Sequence, residues 1–216
     1  MRVYLDHNAT TPLRPEARDA MIAAMDVVGN ASSVHAEGRA AKGLLDGGVL
    51  PIVKHIPGHG RAEADSHFDL PTVNAALGDL LSTDFAPFKA LNQMPMGMTA
   101  HIVYDAIDPA PATLSRHVME MIRRDIGFDG LIMTDDISMK ALSGTLSDLS
   151  RASIAAGCDV VLHCNGSIDE SRRVAEAVGE MSGAAQSRAQ SALGMRTPPK
   201  DIDIDAAFAR LDAITN

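Results

Sequence analysis

Basic residues are in short supply, with 19 Lys and Arg against 28 Asp and Glu and a formal charge of −9. No basic stripe is available to neutralise phosphates, which argues against a nucleic-acid or anionic-membrane partner. No apolar run is long enough to span a bilayer, and the N-terminus lacks the basic-then-apolar pattern of a signal segment. A soluble cytoplasmic protein is the expectation. Cysteine is scarce too. Cys158 and Cys164 flank one apolar run, and an extended strand of that length would hold them roughly 20 Å apart, beyond disulfide reach. Reduced thiols fit a cytosolic setting. Cys164 follows His163, but no second ligand pair at zinc-type spacing accompanies them, so no metal site is expected.

Apolar residues, by contrast, are plentiful: at 46% of 216 residues they suffice for the core of one ordinary domain. The chain centres on Lys54 to Pro71, KHIPGHGRAEADSHFDLP, where a short β-branched run, VLPIV, opens into a loop dense with Gly, His and Asp. Pro57, Gly58 and Gly60 let the backbone turn sharply. Asp65 and His67 lie two residues apart, and in extended chain such residues point the same way. The carboxylate can then fix the tautomer of His67 and stabilise its protonated form, making His67 a candidate proton donor and acceptor near neutral pH. The competing reading is that His55, His59, His67 and His101 are surface or packing residues.

From residue 44 onward an apolar strand, a polar strand end, a loop and an amphipathic helix recur, which points to a parallel sheet. The strands are expected at Leu50 to Val53, ending at Lys54-His55, and at Met96 to Ile102, with His101 near its end. Two more are expected at Gly130 to Thr134, ending at Asp135-Asp136, and at Asp159 to Leu162, ending at His163-Cys164-Asn165. One helix is expected from Ser115, its N-cap, to Asp125 before Gly127, and another from Asp169 to Ser187. Polar groups at the C-terminal ends of buried strands are where a (β/α) barrel builds its active site. Asp136 could merely cap the next helix. Asp135 is harder to dismiss, because a carboxylate at the tip of an apolar strand is costly unless paired or used.

The first 42 residues read differently. YLDHNATTP followed by GNASSVHAEGRAAK resembles the extreme N-terminus of the cysteine desulfurases, pyridoxal-phosphate enzymes of the aminotransferase type, with His7 where that family more often has Asn. The resemblance stops at about Gly43. The Ser-x-His-Lys context of the cofactor lysine and a loop cysteine have no counterpart, so no catalytic or cofactor residue is carried over.

The segments KHIPGHGRAEADSHFDLP, MTAHIVYDAIDPAPATLS, IGFDGLIMTDDISM and AAGCDVVLHCNG together resemble the β-N-acetylhexosaminidases of glycoside hydrolase family 3, the cytoplasmic type of peptidoglycan recycling. The resemblance covers residues 43–216 and implies a division into a desulfurase-like segment, 1–42, and the C-terminal half of a hexosaminidase barrel, 43–216. The implied fold is α/β: a partial (β/α) TIM-type barrel of about four parallel βα units with a short N-terminal appendage. The resemblance makes Asp135 the nucleophile, His67 the general acid/base, Asp65 its partner, and Lys54 and His55 the pair that holds the N-acetylglucosamine ring. It implies a retaining hydrolase acting on a muropeptide saccharide through a covalent glycosyl-enzyme, with no metal or organic cofactor.

A full barrel of this family has eight strands, so the front half, with an aspartate and an arginine that also bind the sugar, has no counterpart here. A half-barrel exposes two sheet edges and an apolar inner face. Two halves closing as a homodimer would give an eight-stranded assembly with two partial sites. The alternatives to a working hydrolase are an inactive chimera with no turnover and a pyridoxal-phosphate desulfurase fragment.

Overall fold

The computed structural model describes residues 48–64, 66 and 68–198, with 45, 203, 205, 206, 208 and 209 singly. The expectations for residues 1–42 and for Asp65 and His67 fall outside the described residues.

Four strands, β1 (Ile52–Ile56), β3 (Met96–Thr99), β5 (Leu131–Asp136) and β6 (Val160–Leu162), form one parallel sheet in the order β1-β3-β5-β6. Two short strands, β2 (Thr72–Val73) and β4 (Val103–Tyr104), pair in parallel as a second sheet. Helical segments fill the connections. Between β2 and β3 lie α1 (Leu77–Asp79), continuing as a π-turn over Leu80–Asp84, and α2 (Ala86–Ala90). A 3₁₀ turn (Ala112–Leu114) and α3 (Arg116–Met121), running on as a π-turn over Ile122–Ile126, join β4 to β5. Then α4 (Leu146–Ala156) joins β5 to β6, and α5 (Ile168–Val178) and α6 (Gly183–Gly194) follow. Sequential strands pairing in parallel through helical crossovers is the βα arrangement expected of part of a (β/α) barrel.

The sheet has two unlike faces. In register, Val53 pairs with Gly97 and Gly97 with Ile132, and this face meets the helices. Val53, Ile132 and Phe128 are fully buried there. A Cβ on Gly97 would lie 3.1 Å from the Phe128 ring, so the absent side chain lets that ring lie against the strand. On the opposite face, reached by the period-two alternation of a strand, Ile52, Met96, Met133 and Val160 are only half-buried. That is the face a barrel turns inward.

Two strands run past their expected ends, and one stops short. Lys54 and His55 lie within β1, and Asp135 and Asp136 within β5, because the ladder continues past the apolar run. Backbone pairing is indifferent to side-chain polarity, whereas an apolar pattern is not. β3 stops at Thr99, leaving His101 just beyond it. Ser115 caps α3 as expected, its side chain accepting from the Val118 N–H, and Gly127 at φ 75° closes the run. The helix expected from Asp169 to Ser187 is instead two. Gly179 adopts φ 65° after Val178, and a new helix starts at the Ser182 cap, which leaves Met181 47% exposed rather than on a packing face. Among the described residues, no helix is long and apolar enough to cross a membrane.

Candidate active site

The loop that follows β1 is tied down at both ends. At its start the buried Tyr104 hydroxyl donates to the Gly58 carbonyl, and burial, reinforced by the nearby Asp84 charge, keeps that hydroxyl protonated. Gly58 runs so close to the π-turn after α1 that a Cβ would sit 2.8 Å from the Asp84 carbonyl oxygen. Arg61 then donates through Nε to Asp84 Oδ2 at 2.7 Å and through Nη2 to Thr83 Oγ1 at 3.1 Å. At its far end the loop enters β2, which pairs with β4. Phe68 is 64% exposed, and Lys140, from the loop after β5, places Nζ 5.7 Å from its ring centre. That contact is worth about 0.5–1 kcal/mol at an exposed site.

Both carboxylates at the end of β5 are present, and they are used differently. Asp136 is buried, and its Oδ1 accepts from the Ser138 N–H at 3.0 Å, the Ser138 hydroxyl at 2.7 Å and the Cys164 N–H at 3.2 Å. Asn165 Nδ2 adds a longer contact to Oδ2 at 3.4 Å. Burial pushes its pKa up, but those donors and the charge of His163 outweigh burial and lower it. Asp136 thus binds the turn after β5 to the end of β6, a structural task.

Among the described residues, Asp135 accepts from one backbone donor, the Asp136 N–H, at 2.8 Å to Oδ1, and meets His55 Nε2 at 3.3 Å through Oδ2. Its side chain remains 18% exposed and that of His55 29% exposed. Burial raises its pKa, but the His55 hydrogen bond, the Asp136 N–H and the charges of His55 and His101 together hold it at about 2. It is therefore an ionised carboxylate at neutral pH, with lone pairs left over, at the C-terminal end of a parallel strand. Such a group can attack an electrophilic carbon or stabilise a developing cation.

The structure brings His55 and Asp135 together across β3, which lies between their strands. His59 stacks near His55, with ring centres 5.6 Å apart. Lys54 is exposed on β1. Asp65 and His67 lie outside the described residues, so their placement relative to Asp135 is not described. Cys158 is buried and Cys164 exposed, both as free thiols. Among the described residues no three His, Cys, Asp or Glu side chains converge to hold a metal ion.

His101, noted in the sequence as a polar residue near a strand end but given no role there, belongs to this neighbourhood. It is fully buried, and burial lowers its pKa against the opposing effects of the Asp136 carbonyl and the Asp135 and Asp136 charges. Its place just past a strand end was the available signal.

The sequence model of the glycosyl hydrolase family 3 N-terminal domain matches residues 28–193. The chain belongs to glycosyl hydrolase family 3. The match begins at residue 28, inside the segment 1–42 expected from its motifs to stand apart. The chain is similar to a β-hexosaminidase of Alkalilimnicola ehrlichii, 42% identical over 128 residues that cover 57% of this chain and 37% of that protein. A β-hexosaminidase of Neisseria meningitidis serogroup C is 43% identical over 129 residues, covering 57% of this chain and 36% of its own length. The chain thus spans little more than a third of the length of the curated relatives it matches. Among solved structures, it is similar to NagZ from Neisseria gonorrhoeae in complex with N-trifluoroacetyl-D-glucosamine, with a TM-score of 0.66 and 32% identity over 81% of this chain and 53% of that one. It is also similar to a family 3 β-N-acetylglucosaminidase from Paenibacillus sp., with a TM-score of 0.67 and 29% identity over 76% of this chain and 35% of that one. Among the described residues the family's barrel-like domain is represented by a four-stranded section.

Proposed function

We propose that this chain carries the nucleophile half of a retaining family 3 glycosidase that removes terminal β-linked N-acetylglucosamine from muropeptide saccharides in the cytoplasm. The observation that carries the reading is Asp135: an ionised, incompletely partnered carboxylate beside His55 at the C-terminal end of β5, next to an Asp136 whose oxygens are engaged elsewhere. The names of the relatives, β-hexosaminidase and β-N-acetylglucosaminidase, support the substrate class.

In this reading Asp135 attacks the anomeric carbon while protonated His67, paired with Asp65, gives its proton to the departing glycosidic oxygen. The C–O bond to the aglycone breaks as the Asp135 ester forms. Neutral His67 then takes a proton from water, which attacks the anomeric carbon, frees Asp135 and leaves the sugar with retained configuration. Lys54 and His55 hold the sugar ring, and His55 also orients Asp135 from 3.3 Å. We read residues 1–42 as a desulfurase-like segment without a catalytic part, on their motifs alone.

The test is hydrolysis of a chromogenic β-N-acetylglucosaminide by the purified chain, with Asp135→Asn in parallel. Turnover lost in the variant supports the reading, and turnover that survives sinks it. A second reading, a partial barrel without turnover, is favoured by one observation: among the described residues the main sheet has four strands, each edge strand paired on one side only. A folded sample that binds N-acetylglucosamine but never turns over would select it, whereas turnover that rises with dimer content in sedimentation would instead indicate two copies completing one barrel.

A further inference from the structure

One buried side chain outside the sugar-contacting set is aimed at the residue that follows Asp135. His101 is fully buried, with Nε2 3.0 Å from the Asp136 carbonyl oxygen. A carbonyl only accepts, so Nε2 carries the hydrogen and donates it. Burial disfavours the charged ring, and in the neutral ring Nδ1 must then accept. Its partner is Thr113 Oγ1 at 2.8 Å, whose single hydrogen goes to His101 in this tautomer, with the Ala100 carbonyl, 3.0 Å away, as its competing acceptor. Thr99 Oγ1, 2.8 Å from Thr113 Oγ1, supplies the hydrogen that Thr113 can accept. Both threonines are fully buried, so no water competes for these bonds. The relay ends on the carbonyl of Asp136, and the N–H of that same residue donates to Asp135 Oδ1 at 2.8 Å.

We propose that His101 is a positioning residue: the Thr99–Thr113–His101 relay holds the Asp136 backbone in the orientation from which its N–H steers the Asp135 carboxylate. The consequence for turnover rests on the proposed function; the positioning itself does not, because the titration of Asp135 reports it. The charged or titratable groups that bear on the ring are Asp135, Asp136 and His55.

The experiment is a carbon-13 NMR titration of the Asp135 carboxyl in the full chain, in His101→Leu and in His101→Gln. Leucine removes the donor, and the midpoint is expected to rise by about one pH unit, the scale of one weakened hydrogen bond to a carboxylate. Glutamine offers an amide N–H to the same carbonyl and is expected to restore at least half of the shift. Both replacements are uncharged, so the difference between them isolates the donated bond from any ring charge. Equal midpoints in the two variants would overturn the proposal. Should His101→Leu fail to fold, Thr113→Val keeps the ring and removes the hydroxyl that orients it; a smaller rise supports the relay and an unchanged midpoint overturns it. On the chromogenic substrate, His101→Leu is expected to lose about ten- to a hundredfold in kcat with KM within about threefold, since a misdirected nucleophile harms the transition state more than the ground state. Asp135→Asn, run alongside, separates the two ideas. Activity surviving in it overturns the role given to Asp135 and not the relay, whereas a flat titration overturns the relay and not that role.

Discussion

At the N-terminal end of the sheet Asp159 accepts from Arg123 Nη2 at 2.7 Å, Arg188 Nη1 at 2.8 Å and the Ile132 N–H at 2.9 Å, and its side chain is 4% exposed. Arg123 spends its other nitrogen on the carbonyls of Phe128 and Gly130, which fixes the entry into β5. At the C-terminal end of the same strand, Asp135 has one histidine and one backbone N–H and is left partly open. A carboxylate ringed by donors is committed to holding the fold, since any movement would strand a buried charge. One with spare lone pairs and an open side can accept a new partner. On the proposed function, stability and chemistry occupy opposite ends of the strands, as in barrels generally.

The comparison breaks most easily through Asp135. Asp135→Asn is expected to lower turnover of a chromogenic β-N-acetylglucosaminide by on the order of 10⁴-fold, the scale of losing a covalent nucleophile. Steady-state kinetics measures it, and a loss of less than tenfold would place the chemistry elsewhere. Next in size is Asp159→Ala, which leaves Arg123 and Arg188 without their shared counter-charge and is expected to lower the unfolding free energy by about 3–5 kcal/mol. Urea denaturation reads this, and the Asp135 carboxyl titration should not move. A cost below about 1 kcal/mol would mean that the two ends differ less than their geometry implies.

Acid stability sharpens the comparison from the other side. Asp135 has a folded-state pKa of about 2, depressed from an ordinary value of about 3.9. Its stabilisation is therefore fully present above about pH 4 and is lost as the pH falls through 2, a contribution on the order of 2 kcal/mol. The difference in unfolding free energy between the wild type and Asp135→Asn should shrink across that window, as followed by denaturant melts at several pH values. A difference that stays constant would show that Asp135 is not held ionised by its neighbours. The smallest effect belongs to Ser167→Ala. Ser167 and Glu170 form a reciprocal capping box at the start of α5, close after β6 in the chain. Its loss should cost about 1 kcal/mol in thermal or urea unfolding and leave kcat alone. A large drop in kcat would extend the site beyond the strand tips.

Much of the architecture was legible locally. The four main strands, the Ser115 cap and the Gly127 stop follow from apolar runs, a side-chain acceptor and a left-handed glycine, all properties of neighbouring residues. The break at Gly179 was not, because its flanks share one helical pattern and a single glycine is often tolerated inside a helix. Asp135 could be singled out as a costly charge at an apolar strand tip and preferred to Asp136, but the physical reason that Asp136 is spoken for could not be read locally. Both are acidic residues at a strand end, and only the turn through Ser138 and the return of the chain at Cys164 consume the second one.

By itself the sequence determined the alternation of strand and helix, the polar strand ends and the motifs that carry the family, because each depends on residues within a few positions of one another. The tertiary structure alone decided that β1 and β5 bring His55 to Asp135 across β3, that His101 is buried with both ring nitrogens engaged, and that Asp159 is closed while Asp135 stays open. Those facts depend on which donors reach which oxygen after distant segments have packed, and on the water that packing has removed, neither of which a local pattern can register.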